Sequence, residues 1–283
     1  MSSPSRPVTV LPKSEILAGL FAVWDDLAAL LGDLPDDRWQ APTALPGWSV
    51  QDVVSHMIGT ESFLQGLPAP DVDVDLATLD HVRNEIGAMN EQWVRAMRAH
   101  SPAEMRDEFT AMTAQRRAVL TDMSEADWNE VTFTPAGPDT YGRFMRVRIF
   151  DCWMHEQDIR EAVQAPTAAA DLASATAQLA LDEMAASMGF VVGKRAGAPD
   201  GSRVAIELTG PLARTINVAV EGRGKVVEDF GGAAPTVTIT VDGLLFTRLA
   251  GGRTPAAQHA GEIGYDGDEA VGRQIVEKLA YVI

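Results

Sequence analysis

The chain has 283 residues, of which 46% are hydrophobic and 22% charged, proportions that are typical of a globular protein with a packed interior. Its 40 acidic and 23 basic residues give a formal net charge of −17, which disfavours nucleic acids and anionic membrane surfaces as partners. The single cysteine excludes an internal disulfide, and no apolar run is long enough for a signal peptide or a membrane-spanning helix, so we expect a cytoplasmic protein.

The first half of the chain has the hydrophobic periodicity of helices. Apolar residues spaced along one helix face predict a first helix over 14–31, with Ser14 as its N-cap. Ser49 and Asp52 form a variant of the capping box, which predicts a second helix from about residue 50 to about residue 64. Further patterns predict helices over 79–98 and 102–123, a loop over 124–139 and a last long helix over 141–163.

The second half differs in composition and periodicity. An Ala-rich helix is predicted over 171–188. Four segments of β character follow, over 203–208, 215–220, 225–229 and 236–241, and then two more helices, over 243–250 and 269–281. The sequence Gly222-Arg223-Gly224 indicates a hairpin turn between two of the strands. We therefore predict an α+β protein of two domains, an all-α bundle over 1–166 and a small α+β domain over 167–283.

The last helix of the first half has a polar stripe among bulky apolar side chains. Asp151 and His155 are four residues apart, and Asp158 follows three residues later, so the three lie along one side of the helix. Because the helix is otherwise so apolar, we expect this stripe to point into the bundle, where a divalent cation would partner the buried carboxylate and imidazole. His56 on the second helix offers a third ligand. Taken alone, a histidine on an apolar helix face is more often a hydrogen-bonded core residue. An Asp/His pair four residues apart is likewise more often a surface pair.

Two stretches that contain these residues resemble a known family. The stretch Leu45-Pro-Gly-Trp-Ser-Val-Gln-Asp-Val-Val-Ser-His56 resembles the start of the second helix in the mycothiol-dependent maleylpyruvate isomerase family of the DinB-like superfamily. The stretch Phe150-Asp-Cys-Trp-Met-His-Glu-Gln-Asp-Ile-Arg160 resembles the signature of its fourth helix. The resemblance implies a DinB-like four-helix bundle that holds a metal through His56, Asp151 and His155, although the family often has Glu at the acidic position. It also implies a C-terminal domain similar to sterol-carrier-type folds.

Two histidines and one carboxylate leave coordination positions open, which is typical of a catalytic metal site. Zn²⁺ suits these ligands, and Ni²⁺, Fe²⁺ or Co²⁺ would also bind them. Such an ion can activate water or hold a thiol as its thiolate. The resemblance implies the second chemistry, in which the thiol of mycothiol attacks a small electrophile in an isomerase or thiol-transferase reaction.

Arg148 and Asp158 are the further catalytic candidates on the same stripe. Arg148 could neutralise a substrate carboxylate or simply pair with Asp151, and Asp158 could orient His155 or form an ion pair with Arg160. We interpret Cys152 as a packed, inert thiol. The remaining histidines are interpreted as surface residues, namely His81, His100 and His259.

Two other functions stay open at this point. The same metal site could activate water for hydrolysis without any thiol, or the protein could be a non-catalytic module that binds an apolar small molecule in its C-terminal domain. In each case the expected partners are small molecules, and the chain could be a monomer or a homodimer.

Overall fold

The computed structural model describes residues 8–282, so the expectation that the N-terminus lacks a signal peptide falls partly outside the described residues. The chain forms two compact units that divide between Pro166 and Thr167. Among the described residues, no helix combines the length and the apolar character that crossing a membrane requires.

The N-terminal unit is built from helices. Helix α1 packs against α4 and α6, and α2 packs against α3, α4 and α6, so that the long helices enclose a common core. The bounds are α1 Lys13–Asp33, α2 Val50–Leu64, α3 Glu85–Met97, α4 Pro102–Asp122, α5 Glu125–Trp128 and α6 Tyr141–Val163. The apolar faces that periodicity predicts are the ones that are buried, as for Leu20, Val53 and Ile149.

The ends of these helices follow local capping chemistry. The predicted capping box at the start of α2 is present, because the Ser49 and Asp52 side chains bond to each other's backbone N–H groups. Helix α1, however, begins at Lys13 and its N-cap is Pro12, so the prediction that Ser14 caps it is wrong. The third helix begins at Glu85 rather than near residue 79, because the Asn84 side chain accepts the backbone N–H of Gly87 and sets the start there.

The segment over 124–139 is more ordered than the predicted loop. It contains the single-turn helix α5 and a two-stranded antiparallel ladder of β1, Val131–Thr132, and β2, Asp139–Thr140. The buried Trp128 indole donates to the Leu11 carbonyl at 2.9 Å. This segment therefore ties the start of α6 to the residues before α1.

The C-terminal unit is a five-stranded sheet with helices. The strand order is β5-β4-β3-β6-β7, in which β3 and β6 are parallel and the other neighbours antiparallel. The bounds are α7 Ala169–Leu172, α8 Ala175–Phe190, β3 Arg203–Thr209, β4 Arg214–Glu221, β5 Arg223–Val227, β6 Val237–Asp242, α9 Gly243–Ala250, β7 Gly264–Gly267 and α10 Glu269–Glu277. The fold class is confirmed, an α+β protein with a helical N-terminal region and a C-terminal sheet domain.

Three details of this unit differ from the prediction. The predicted helix over 171–188 is two helices, because the Ser174 side chain accepts the Ala177 N–H and starts α8 anew. Helix α10 ends at Glu277, and the edge strand β7 was not predicted at all. The predicted hairpin turn is present, with Gly222 between β4 and β5 at a φ of 65°, a conformation that glycine adopts without strain.

The apolar core of the C-terminal unit contains a small cavity. Side chains of β3, β6, α9 and α10 leave between them a cavity of only about 10 Å³, lined by Ile206, Ile239, Val241, Phe246, Leu249, Ile263, Ile275, Val276 and Leu279. A cavity of this volume has room for one water molecule at most.

Candidate metal centre

The structure brings together the three residues that the sequence singles out as metal ligands. His56 lies on α2, and Asp151 and His155 lie on successive turns of α6. The His56 Nε2 atom is 3.3 Å from Asp151 Oδ2, and the His155 Nε2 atom is 3.5 Å from Asp151 Oδ1. One ligand atom from each residue lies within 4.8 Å of the other two. Both imidazoles are buried and meet edge to face.

These separations fit a shared cation. Zn²⁺ ligands at their usual bond lengths in a tetrahedral site are about 3.3 to 3.6 Å from one another. Direct charge-assisted hydrogen bonds between imidazole and carboxylate are shorter, about 2.7 to 2.9 Å. The distances of 3.3 and 3.5 Å run from the two oxygens of Asp151 to one histidine each, and both are longer than such a hydrogen bond.

The electrostatics of the cluster favour the metal-binding forms of His56 and Asp151, but not that of His155. Burial lowers the pKa of His56, although the Asp151 carboxylate opposes this. Burial alone would raise the pKa of Asp151, but Arg148, His155 and His56 outweigh it and hold this pKa well below its usual value. Burial would also lower the pKa of His155, but Asp151 and Asp158 raise it. At neutral pH the acidic ligand is thus ionised and His56 is neutral.

Asp158 lies behind His155, on the side away from the three ligand atoms. Its Oδ2 atom is 3.0 Å from His155 Nδ1, and the carboxylate is fully buried. An ionised carboxylate can only accept, so Asp158 in that form would hold a proton on Nδ1 and leave Nε2 facing the cluster. Arg160, the alternative partner, pairs with Glu156 at 2.7 Å.

Arg148 is buried next to Asp151 and does not present its guanidinium to solvent. It donates to Asp151 Oδ2, to Glu61 Oε1 at 2.8 Å and to the Cys152 sulfur at 3.5 Å. Of the two contacts considered for Arg148, the pair with Asp151 is present. Burial raises the pKa of the Cys152 thiol to about 12, in agreement with an inert residue.

The loop before α2 carries a group of residues that the sequence did not reveal. The Trp48 ring lies 5.4 Å from the His56 ring, and its indole nitrogen donates to Glu91 at 3.0 Å. Glu91 is fully buried and also contacts His81 Nε2 at 3.1 Å, so His81 is a partly exposed residue that bonds to an internal carboxylate. Burial would raise the pKa of Glu91, but the donors Arg95, His81 and Trp48 lower it. No sequence signal marks Glu91, because it stands four residues from Arg95 like an ordinary surface pair.

Trp48 also lines a surface cleft. The cleft has a volume of about 440 Å³ and is lined by the loop over 42–49 together with Gln40, Asp52 and Arg98. Trp48 thus contacts His56 of the cluster and borders a space large enough for a small molecule.

Comparisons with known proteins agree with this arrangement. Residues 20–160 match the mycothiol maleylpyruvate isomerase N-terminal domain, and residues 178–274 match the C-terminal domain of the same family, MDMPI. An uncharacterized protein of Mycobacterium tuberculosis, in strains CDC 1551 and H37Rv, is 27% identical over 150 residues, which are 52% of this chain. The match spans 56% of the length of these curated relatives.

Solved structures share the fold. The crystal structure of the mycothiol-dependent maleylpyruvate isomerase superimposes with a TM-score of 0.61 at 15% identity, over 90% of this chain and 93% of that chain. A histidine-to-alanine mutant of that isomerase gives a TM-score of 0.58 over the same shares. At this identity the structures establish the fold, whereas the two domain models together cover most of the chain. The chain belongs to the mycothiol-dependent maleylpyruvate isomerase family.

Proposed function

We propose that this protein is a metal- and thiol-dependent enzyme of the maleylpyruvate isomerase type. In this proposal His56, Asp151 and His155 hold one divalent ion, with Zn²⁺ the first choice and Ni²⁺, Fe²⁺ or Co²⁺ the alternatives. The co-substrate is a low-molecular-weight thiol, mycothiol by family membership, and the substrate is a small electrophile. The observation that carries the proposal is the convergence of His56, Asp151 and His155, of which one ligand atom each lies within 4.8 Å of the other two.

The residues around the cluster have separate tasks in this proposal. A divalent ion bound there would supply Lewis acidity, which favours the thiolate form of a bound thiol at neutral pH. Asp158 keeps the proton of His155 on Nδ1 and thereby aims Nε2 at the site. The burial of His56 and His155 limits access of bulk water. The cleft beside Trp48 offers room for the co-substrate.

The two other functions that the sequence leaves open, hydrolysis and binding of an apolar ligand, are distinguished from the proposed one in different ways. A metal-activated water would use the same ligands, so only a requirement for thiol separates hydrolysis from the thiol-dependent reaction. For a module that binds an apolar ligand in the C-terminal domain, the cavity among β3, β6, α9 and α10 is too small, at about 10 Å³. We therefore favour the thiol-dependent enzyme, because the chain belongs to a family of mycothiol-dependent isomerases.

Metal content tests the proposal directly. Protein purified without chelators is analysed for transition metals as wild type, as His155→Ala, and as His259→Ala. His259 serves as the matched control, because it contacts Thr254 and Glu262 in the C-terminal unit. We expect about one equivalent of metal in the wild type and in His259→Ala, and its loss in His155→Ala.

A second measurement separates the chemistries. Conversion of maleylpyruvate or a model electrophile is followed with and without mycothiol, before and after removal of the metal. We expect turnover only when both are present. Wild-type protein that takes up no Zn²⁺, Ni²⁺ or Co²⁺ would refute the metal site, and turnover without thiol would favour hydrolysis.

A further inference from the structure

A buried network of charges lies next to the three candidate ligands and joins three helices. Glu61 on α2, Arg116 on α4 and Arg148 on α6 are 0%, 1% and 3% exposed. One carboxylate oxygen of Glu61 accepts from Arg116 Nε at 2.7 Å, and the other accepts from Arg148 Nε at 2.8 Å. Arg116 also donates to the Tyr141 hydroxyl at 2.9 Å. Glu61 is therefore held from both sides, and α4 and α6 are held through it.

Arg148 connects this network to the metal cluster. Its Nε atom bonds to Glu61, and its Nη1 atom bonds to Asp151 Oδ2. Because a guanidinium is planar and rigid, fixing one edge of it fixes the direction of the other donors. Arg148 thus holds Oδ2 of Asp151, the oxygen that lies 3.3 Å from His56 Nε2, while Oδ1 faces His155 Nε2 at 3.5 Å.

The buried network contains equal numbers of positively and negatively charged side chains. Two guanidinium groups, those of Arg116 and Arg148, meet two carboxylates, those of Glu61 and Asp151. Burial disfavours the charged form of both arginines, yet the neighbouring carboxylates raise the pKa of each above its usual value, with the Cys152 sulfur adding to the effect at Arg148. If the charge of Glu61 were lost, Asp151 would be the remaining carboxylate partner of Arg148 in the contacts described. The guanidinium would then compete with a cation for that carboxylate.

We propose that Glu61 is a positioning residue for the metal site. It holds Arg148 at a fixed distance from Asp151, and through Arg148 it sets the orientation of the Asp151 carboxylate, whose Oδ2 faces His56 and whose Oδ1 faces His155. This inference rests on the proposed function, because it presumes that Asp151 binds the ion. Comparable residues behind metal ligands change metal affinity by about 10- to 100-fold when they are replaced.

The test uses Co²⁺ as a spectroscopic probe on the full chain. The metal-free wild type, Glu61→Gln and Glu108→Gln are titrated with Co²⁺, and the visible absorption gives both the Kd and the ligand geometry. Glu108 is the matched control, since it is a partly exposed glutamate paired with His100. We expect Glu61→Gln to raise the Kd by about 10- to 100-fold and to change the spectrum. Glu108→Gln should behave as the wild type.

A double variant separates positioning from folding. In Glu61→Gln/Arg116→Gln one buried positive charge is removed with the negative one, so thermal stability of the metal-free protein should recover toward the wild type. The Kd and the spectrum should remain altered, because a neutral amide holds Arg148 less firmly than a carboxylate does. If Glu61→Gln does not fold, the double variant provides the same comparison.

The outcomes are distinct. Wild-type affinity and spectrum in Glu61→Gln would overturn the inference, and so would recovery of both together with stability in the double variant. A wild type that binds no Co²⁺ would overturn the proposed function and, with it, this role for Glu61.

Discussion

A close approach of two helices next to the metal cluster gives a prediction of stability. Gly59 stands one turn after His56 on α2, and α3 packs against it. A Cβ atom at Gly59 would lie 2.3 Å from Cγ and 2.5 Å from Cβ of Trp93. Trp93 is 9% exposed, and the atoms in conflict belong to the base of its side chain. Gly59→Ala therefore cannot be accommodated by a rotamer change alone, and α3 must move away from α2.

The expected free energy is a balance of two terms. Alanine favours a helix interior over glycine by about 1 kcal/mol. Overpacking a filled interior costs about 1 to 3 kcal/mol, and a clash so near the backbone belongs at the upper end of that range. We expect Gly59→Ala to lower the free energy of unfolding by about 2 kcal/mol. The control is Gly32→Ala in α1, where no atom lies within 4 Å of the added Cβ, and we expect it to stabilise by about 0.5 kcal/mol.

Denaturant unfolding of the two variants checks this reasoning. Urea titrations followed by far-UV circular dichroism give the midpoint of the transition that involves the helices. The two variants carry the same substitution, so helix propensity alone predicts a shift of the same sign in both. Opposite signs are expected here. If Gly59→Ala and Gly32→Ala both raise the midpoint, the contact between Gly59 and Trp93 does not limit the packing of α3.

Three other predictions concern single side chains. Asp158→Asn should raise the Kd for Co²⁺ by about 10- to 100-fold, because a neutral amide orients His155 less firmly, and an unchanged Kd would contradict this. Asp139 accepts from Thr9 and contacts Arg143, and although burial acts to raise its pKa, these partners hold it below the usual 3.8. A depressed folded-state pKa stabilises the protein above the unfolded-state pKa, so Asp139→Asn should cost about 2 kcal/mol at pH 7. That difference should shrink as the pH falls below 3.8, and urea titrations that show a constant difference down to pH 2 would refute it. Cys152, with a pKa raised to about 12 by burial, should resist iodoacetamide at pH 8 until the protein is unfolded, and mass spectrometry of the native protein checks this.

Much of the helical unit could be predicted because its signals are local. The bounds of α2 match the prediction, since Ser49 and Asp52 cap it through contacts three residues apart. The bounds of α6 match as well, because it starts after the Thr140 cap and its pattern of apolar residues continues to the last turn. The polar stripe of α6 was recognisable for the same reason, as Asp151 and His155 are neighbours on any helix.

The features that were missed depend on contacts between distant parts of the chain. The ion pairs of Glu61 could not be predicted from the sequence, because its partners Arg116 and Arg148 are 55 and 87 residues away. Glu91 was missed for a similar reason, as Trp48 lies 43 residues before it. Strand β7, a Gly-Tyr-Asp-Gly segment without apolar alternation, exists through its pairing with β6. Periodicity reports which face of an element is apolar, and it does not report which charges will find partners inside.

The buried charges of the bundle are better explained by a site than by stability. An ion pair taken out of water loses about as much hydration energy as it gains in attraction, so apolar residues of equal volume would serve the fold at least as well. The C-terminal unit shows that alternative, since the core between its sheet and its helices α9 and α10 is lined by apolar side chains. In the bundle, by contrast, Glu61, Arg116 and Arg148 occupy central positions in α2, α4 and α6. A rigid orientation of Asp151 beside two imidazoles is a property that apolar packing cannot provide, because only directional donors and acceptors fix how the carboxylate is turned toward the site.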